Sequence, residues 1–120
     1  MNADSPTTYA VDVSSEPPTV VIRLTGQIDR DAAAALTTAY DTASTSNPQV
    51  VVLDFTEVDY INSTGIALVV GLLARARAEK RAVHAAGLTD HYRHVFEITR
   101  LSDFIQVFTD VDAALAATPS

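Results

Sequence analysis

Residues 50–73 read VVVLDFTEVDYINSTGIALVVGLL. The run at 50–53 is wholly apolar and mostly β-branched, with no polar alternation, as expected of a strand covered by helices on both faces. From Ile66 to Leu73 apolar residues dominate again, and with the residues that follow they predict a helix over about 64–80. Residues 54–63 between them read as a loop. Asn62-Ser63-Thr64-Gly65 then stands at the mouth of the helix, where unpaired backbone N–H groups and the positive end of the helix dipole tolerate negative charge. Ser63 is the residue of interest, and two readings of it stand. Asn, Ser and Thr before an apolar run commonly do no more than cap the helix; the same place also suits a hydroxyl that acquires charge.

Working outward toward the N-terminus, residues 19–25 (TVVIRLT) alternate, with Val20, Ile22 and Leu24 facing one way. Residues 8–13 alternate too, with Tyr9, Val11 and Val13 on one side, and 14–18 (SSEPP) is turn chemistry, so the first two strands are expected to form a hairpin. Residues 1–7 read as a loose start. Gly26 is expected to end the second strand. Asp29 or Asp31 can cap a helix over about 30–44, whose Ala32, Ala35, Leu36, Ala39, Tyr40 and Ala43 keep helical spacing; Thr45-Ser46-Asn47-Pro48 breaks it.

Toward the C-terminus, the helix at 64–80 ends in Arg75, Arg77, Lys80 and Arg81, charges that complement its dipole. Its apolar girth exceeds one stripe, so either neighbouring helices flank it or part of it faces a partner protein. Residues 82–86 (AVHAA) form a short strand closed by Gly87. Asp90 can cap a helix to about 99, with Tyr92, Val95, Phe96 and Thr99 inward and His91, Arg93, His94 and Glu97 outward. Residues 105–108 make a last strand, and Thr109 can cap a final helix, with Asp112 at the third position of a capping box. The expected order is β-β-α-β-α-β-α-β-α. It describes one α/β domain over 1–120, a small, mostly parallel sheet with an antiparallel N-terminal strand and helices packed against it.

With 120 residues, of which 48% are hydrophobic, the chain has material for one continuous core. A net charge of −7 sets a repulsive field against nucleic acid or an anionic membrane, which leaves a protein or a small molecule as the expected partner. The absence of cysteine excludes disulfides, thiolate metal sites and thiol catalysis. No basic segment followed by an apolar run opens the chain, and no run of about 18 apolar residues occurs, so a cytoplasmic protein is expected.

Ligands of such sheets meet the loops at the carboxyl ends of the parallel strands, here expected at 26–31, 54–63 and 87–90. Asp29, Asp54, Glu57, Asp59, Asn62 and Ser63 are therefore candidates for one acidic neighbourhood. Catalysis is not favoured. Ser63 sits in I-N-S-T-G rather than in a strained G-x-S-x-G turn, and His84, in mid-strand, is a poor base. Neither a phosphate-binding loop nor a dinucleotide fingerprint occurs. His91 and His94 at i, i+3 have no evident third ligand, so no metal and no cofactor are expected.

The segment V-V-L-D-F-T-E-V-D-Y-I-N-S-T-G-I-A at 51–67, preceded by L-T-G-Q-I-D at 24–29, resembles the STAS family, the bacterial anti-sigma factor antagonists. The resemblance covers about 9–117 and includes R-L-S-D-F at 100–104. It implies the STAS fold and a regulator without catalysis of its own. In the family the serine of [DN]-S-[ST]-G accepts phosphate from an anti-sigma factor kinase; carried over, that is Ser63, with Thr64 as runner-up. The resemblance further implies a partner-binding surface of Asp29, Asp59, Asn62, Ser63, Thr64, Gly65 and Ile66, and a phosphatase that restores the unmodified form. Asn62 stands where the usual pattern has Asp, and Gln27 replaces a common Glu. The alternative is a STAS module that never takes phosphate and serves as a binding or scaffold subunit of a sensor or transport complex.

Overall fold

The computed structural model describes residues 8–13 and 19–117; the loose start expected at 1–7, the turn at 14–18 and the side-chain directions within 8–13 fall outside it. The elements are β1 (Thr8–Val13), β2 (Thr19–Ile28), a 3-10 turn (Arg30–Ala32), α1 (Ala33–Ser44), β3 (Val50–Ile61), α2 (Ser63–Ala78), β4 (Ala82–Ala86), α3 (Asp90–Ile98), a second 3-10 turn (Leu101–Asp103), β5 (Gln106–Phe108) and α4 (Val111–Ala116). The strands form one sheet in the order β1-β2-β3-β4-β5. β1 runs antiparallel to β2, and the other three pairings are parallel.

β3 is central, and its first four residues are buried on both faces. Val51 and Leu53 join Leu36, Tyr40, Val69, Leu72 and Phe96 in the larger core, beneath α1, α2 and α3. Val50 and Val52 join Val21, Ala86 and Ala114 beneath α4. A helix of six residues such as α4 is far too short to hold in water by itself, so burial of Ala114, with Val111 and Leu115 partly covered, is what keeps it in place.

Two strands run further than the sequence suggests. Residues 54–61 are strand rather than loop, and β2 passes through Gly26 to Ile28. β4 ends opposite Asp54 and the pairing of β1 with β2 reaches Thr25, so beyond Thr25 and Glu57 the described pairing is that of β2 with β3, a two-stranded ribbon. The β2–β3 pairing contains register shifts between Arg23 and Thr25 and between Gly26 and Gln27, each giving β3 one extra residue. Gly26, on β2 opposite the second bulge, has φ 92, a left-handed backbone that glycine adopts without strain. Each bulge turns the strand. Burial therefore recurs at Phe55, Val58 and Ile61, every third residue instead of every second, and the alternation that marks a strand is lost from the sequence.

Helix starts differ by one residue where two capping residues adjoin. α3 is capped by Thr89, whose Oγ1 accepts from the Tyr92 N–H at 3.3 Å, and not by Asp90. α4 is capped by Asp110, whose Oδ1 accepts from the Ala113 N–H at 2.8 Å, and not by Thr109. Both sites read Thr-Asp, and either residue can cap; the approach of the chain selects between them. Asp90, displaced into the first turn, still complements the dipole.

His84 on β4 is only 7% exposed, lies edge-on to Phe108 with ring centroids 5.2 Å apart, and its Nδ1 makes no hydrogen bond among the described residues. Burial pushes its pKa below the ordinary 6.5, against a smaller opposing effect of the Val83 backbone. The unfolded chain therefore binds the proton first. Stability is complete above about pH 6.5 and declines as pH falls from there toward the lowered native value. Urea unfolding at about pH 7.5 and about pH 5.5 checks this, and His84→Leu is expected to flatten the decline across that interval.

Candidate functional site

The site is built at the far end of the ribbon, where Ile28 pairs with Ile61. The next residue, Asn62, keeps an extended backbone (φ −93, ψ −177) and donates its N–H to the Ile28 carbonyl at 3.2 Å. Its Oδ1 accepts from the Gly65 N–H at 2.8 Å, and its carbonyl accepts from the Ile66 N–H at 2.9 Å. Asn62 is thus the N-cap of α2. The helix then begins at Ser63, one residue before the expected start.

Gly65 brings that first turn hard against β2. A Cβ placed on it would stand 2.0 Å from the Ile28 carbonyl oxygen, so helix and strand end meet backbone to backbone. This contact at Ile28 was not revealed by the sequence, because it is made by the carbonyl and not by the buried side chain.

Since Asn62 performs the capping, Ser63 is not needed for it. Ser63 and Thr64 are both exposed, and neither hydroxyl makes a hydrogen bond among the described residues. Their N–H groups occupy the first turn, which has no intrahelical acceptors to offer. The capping reading of Ser63 is therefore displaced by its neighbour. Ile66, next along, is half-buried against the larger core and orients the turn.

Asp29 follows Ile28 directly, is half-buried, and uses Oδ1 to accept the Asp31 N–H at 3.0 Å, capping the 3-10 turn. The Ile28–Asn62 contact therefore brings Asp29, Asn62, Ser63, Thr64 and Gly65 together. Asp59 is the extra residue of the second bulge and is exposed, as are Glu57 and Tyr60 on the same ribbon. Asp29, Asp31, Glu57 and Asp59 enter no ion pair among the described residues, and with Arg30 the basic residue between the first two, this end of the molecule carries net negative charge.

Asp54 does not belong to this group. It is 6% exposed, accepts from the Thr56 N–H at 3.0 Å and Oγ1 at 2.5 Å, and pairs with Arg23 at 3.8 Å. At strand rise it lies roughly 20 Å before the end of β3. The 87–90 connection is also left behind, because Gly87 packs on Thr56 rather than on Asn62. The ribbon carries the site out past the edge where three loops were expected to converge. Tyr92 of α3 spans the gap instead: its hydroxyl accepts from the Ile61 N–H at 3.0 Å, occupying a donor that no further strand can reach. Only its inward helical position marked it in the sequence.

Among the described residues no helix is long and apolar enough to cross a membrane. A family model described as "Mlab, STAS domain" matches residues 11–109. The anti-sigma-B factor antagonist of Listeria monocytogenes is 34% identical over 86 residues, which span 72% of this chain and 75% of that protein. The crystal structure of an anti-sigma factor antagonist from Mycobacterium paratuberculosis covers 97% of this chain and 96% of its own, at 22% identity and a TM-score of 0.79. The Bacillus cell fate determinant SpoIIAA in its phosphorylated form covers 92% of this chain and 100% of its own, at 21% identity and a TM-score of 0.68. Both structures share the fold described above. A family model that matches residues 11–109, joined to a relative at this level of identity, decides the matter: the chain belongs to the STAS domain family.

Proposed function

We propose that this protein is an anti-sigma factor antagonist acting in the cytoplasm, that its unphosphorylated form binds an anti-sigma factor which is also a serine kinase, and that phosphate on Ser63 ends the binding. One observation carries the reading. The Ser63 hydroxyl stands exposed and unbonded at the N-terminus of a 16-residue helix because Asn62 has taken over the cap. Support comes from the relative named as an anti-sigma-B factor antagonist and from a fold neighbour that exists in a phosphorylated form. Asp29, Asp59, Asn62, Ser63, Thr64, Gly65 and Ile66 form the partner surface. The chain is the substrate of the transfer and brings no catalytic group or cofactor to it; a phosphatase resets it.

The physics of the switch is local. A phosphate adds about −1.5 to −2 charges at pH 7. The helix N-terminus, with the Ser63 and Thr64 N–H groups open, accommodates that charge, so the scaffold survives it. A partner packed over the site does not, since a second buried or like charge across an interface costs several kcal/mol. Asn62 is neutral, so the phosphate faces no carboxylate from its immediate neighbour.

Incubation with ATP and the cognate kinase, followed by mass spectrometry, is expected to place a single phosphate on Ser63; phosphate on Thr64 alone, or on neither, refutes the proposal. The neutral Asn62 favours one alternative, a binding subunit of a sensor or transport complex that never takes phosphate. Such a subunit holds its partner equally well after Ser63→Asp.

A further inference from the structure

The C-terminal half of α2 and the turn after α3 enclose an apolar hollow of about 220 Å³, lined by Val70, Leu73, Ala74, Arg77, Leu101 and Phe104. A neighbouring hollow of about 300 Å³ shares Leu73, Arg77 and Phe104 with it. Four large apolar residues are exposed among those described: two line this hollow and a third lies three residues from it in the chain. Val70 and Phe104 line the hollow, and Ile98, 64% exposed, ends α3 three residues before Leu101. Only Tyr60 lies elsewhere, on the ribbon.

The charges on this side are equally uneven. Of the basic residues near the end of α2, Arg75 is held by Asp41 at 2.6 Å and lies over the Tyr40 ring. Arg81 is held by Glu79, the Tyr40 hydroxyl and the Pro48 carbonyl. Arg77 forms no ion pair among the described residues, and its guanidinium lies 5.8 Å from the Phe104 ring centroid. At the end of α3, Glu97 occupies the last turn, where the helix dipole disfavours a carboxylate. The ion pair recorded for it is with His94 at 3.8 Å, an attraction that exists only when the imidazole is protonated. Local structure thus accounts neither for an exposed Ile98 nor for the Glu97 beside it, and three residues on from Ile98 the chain reaches Leu101, which lines an apolar hollow that also holds Arg77.

We propose that this side is a self-association surface, on which two copies of the chain pair about a two-fold axis. Ile98 of each copy enters the Val70, Leu73 and Phe104 hollow of the other, and Glu97 of each meets Arg77 of the other. A two-fold interface requires one patch to carry both halves of every contact, and this patch carries the protruding residue and its hollow, the anion and its cation. It also has the apolar centre and charged rim of a protein interface. The inference does not depend on the function proposed for Ser63, which lies about 21 Å along α2 from Arg77.

Sedimentation equilibrium of the full chain from about 10 μM to about 1 mM, at about 0.15 M salt to screen the net charge, tests it. A reversible monomer–dimer equilibrium is expected. Ile98→Asp, Arg77→Glu and Glu97→Arg are each expected to weaken it at least about tenfold, and Arg77→Glu combined with Glu97→Arg to restore it. All three side chains sit at the surface, and circular dichroism confirms that the variants fold. A chain that stays monomeric to about 1 mM, a dimer indifferent to Ile98→Asp, or a double variant no better than the single ones overturns the proposal.

Discussion

Gly65→Ala is expected to lower the unfolding free energy by about 3 kcal/mol or more. Helix propensity alone argues the other way, since alanine is favoured over glycine within a helix by about 1 kcal/mol. Contact decides the sign. The added Cβ would stand 2.0 Å from the Ile28 carbonyl oxygen, 2.8 Å from the Ile28 carbonyl carbon and 3.1 Å from Cγ2 of Ile61. Two of these atoms are backbone. Ile28 cannot retreat without loosening the hydrogen bond it accepts from Asn62 and its pairing with Ile61. Gly71 provides the control within the same helix. It is exposed, and nothing lies within 4 Å of its missing Cβ, so Gly71→Ala is expected to stabilise by up to about 1 kcal/mol. Urea unfolding of both variants measures the contrast; shifts of the same sign would show that the meeting of α2 with β2 is looser than described.

On the function proposed above, Ser63→Asp is expected to weaken binding to an anti-sigma factor about a hundredfold, and phosphate on Ser63, with nearly twice the charge, about a thousandfold. The larger figure corresponds to about 4 kcal/mol, within the range for a like charge or a desolvated anion closed into an interface. Ser63→Ala is expected to bind as the unmodified protein does, since it removes a hydroxyl without a hydrogen-bond partner among the described residues. The same reasoning predicts that neither substitution changes the unfolding midpoint appreciably, which separates a binding effect from a folding one. Isothermal titration against the purified partner supplies the affinities. Equal affinity for the alanine and aspartate variants would leave the phosphate-free binding subunit as the surviving account.

Segments with an undisturbed period were legible along the chain. Leu36, Ala39, Tyr40 and Ala43 keep helical spacing and are the buried side of α1. The apolar run at 50–53 does lie between two layers of helix. Residues 54–61 were not legible, because two bulges shift burial out of step with the strand period. Nor was the exclusion of Asp54, whose carboxylate turns to Thr56 and Arg23, or the part played by Tyr92 through its hydroxyl.

The order of residues by itself determined that a strand would be followed by a helix with a polar, hydroxyl-bearing mouth, because those preferences are local and repeat with the period of each element. It could not determine which of Asn62, Ser63 and Thr64 would serve as the cap. That choice was made by the Ile28 carbonyl, which anchors the Asn62 N–H from the end of a strand far back in the chain, and by Gly65, whose lack of a side chain lets the helix settle there. With Asn62 held in an extended conformation its amide is the group that reaches the Gly65 N–H, and the hydroxyl of Ser63 is left to the solvent.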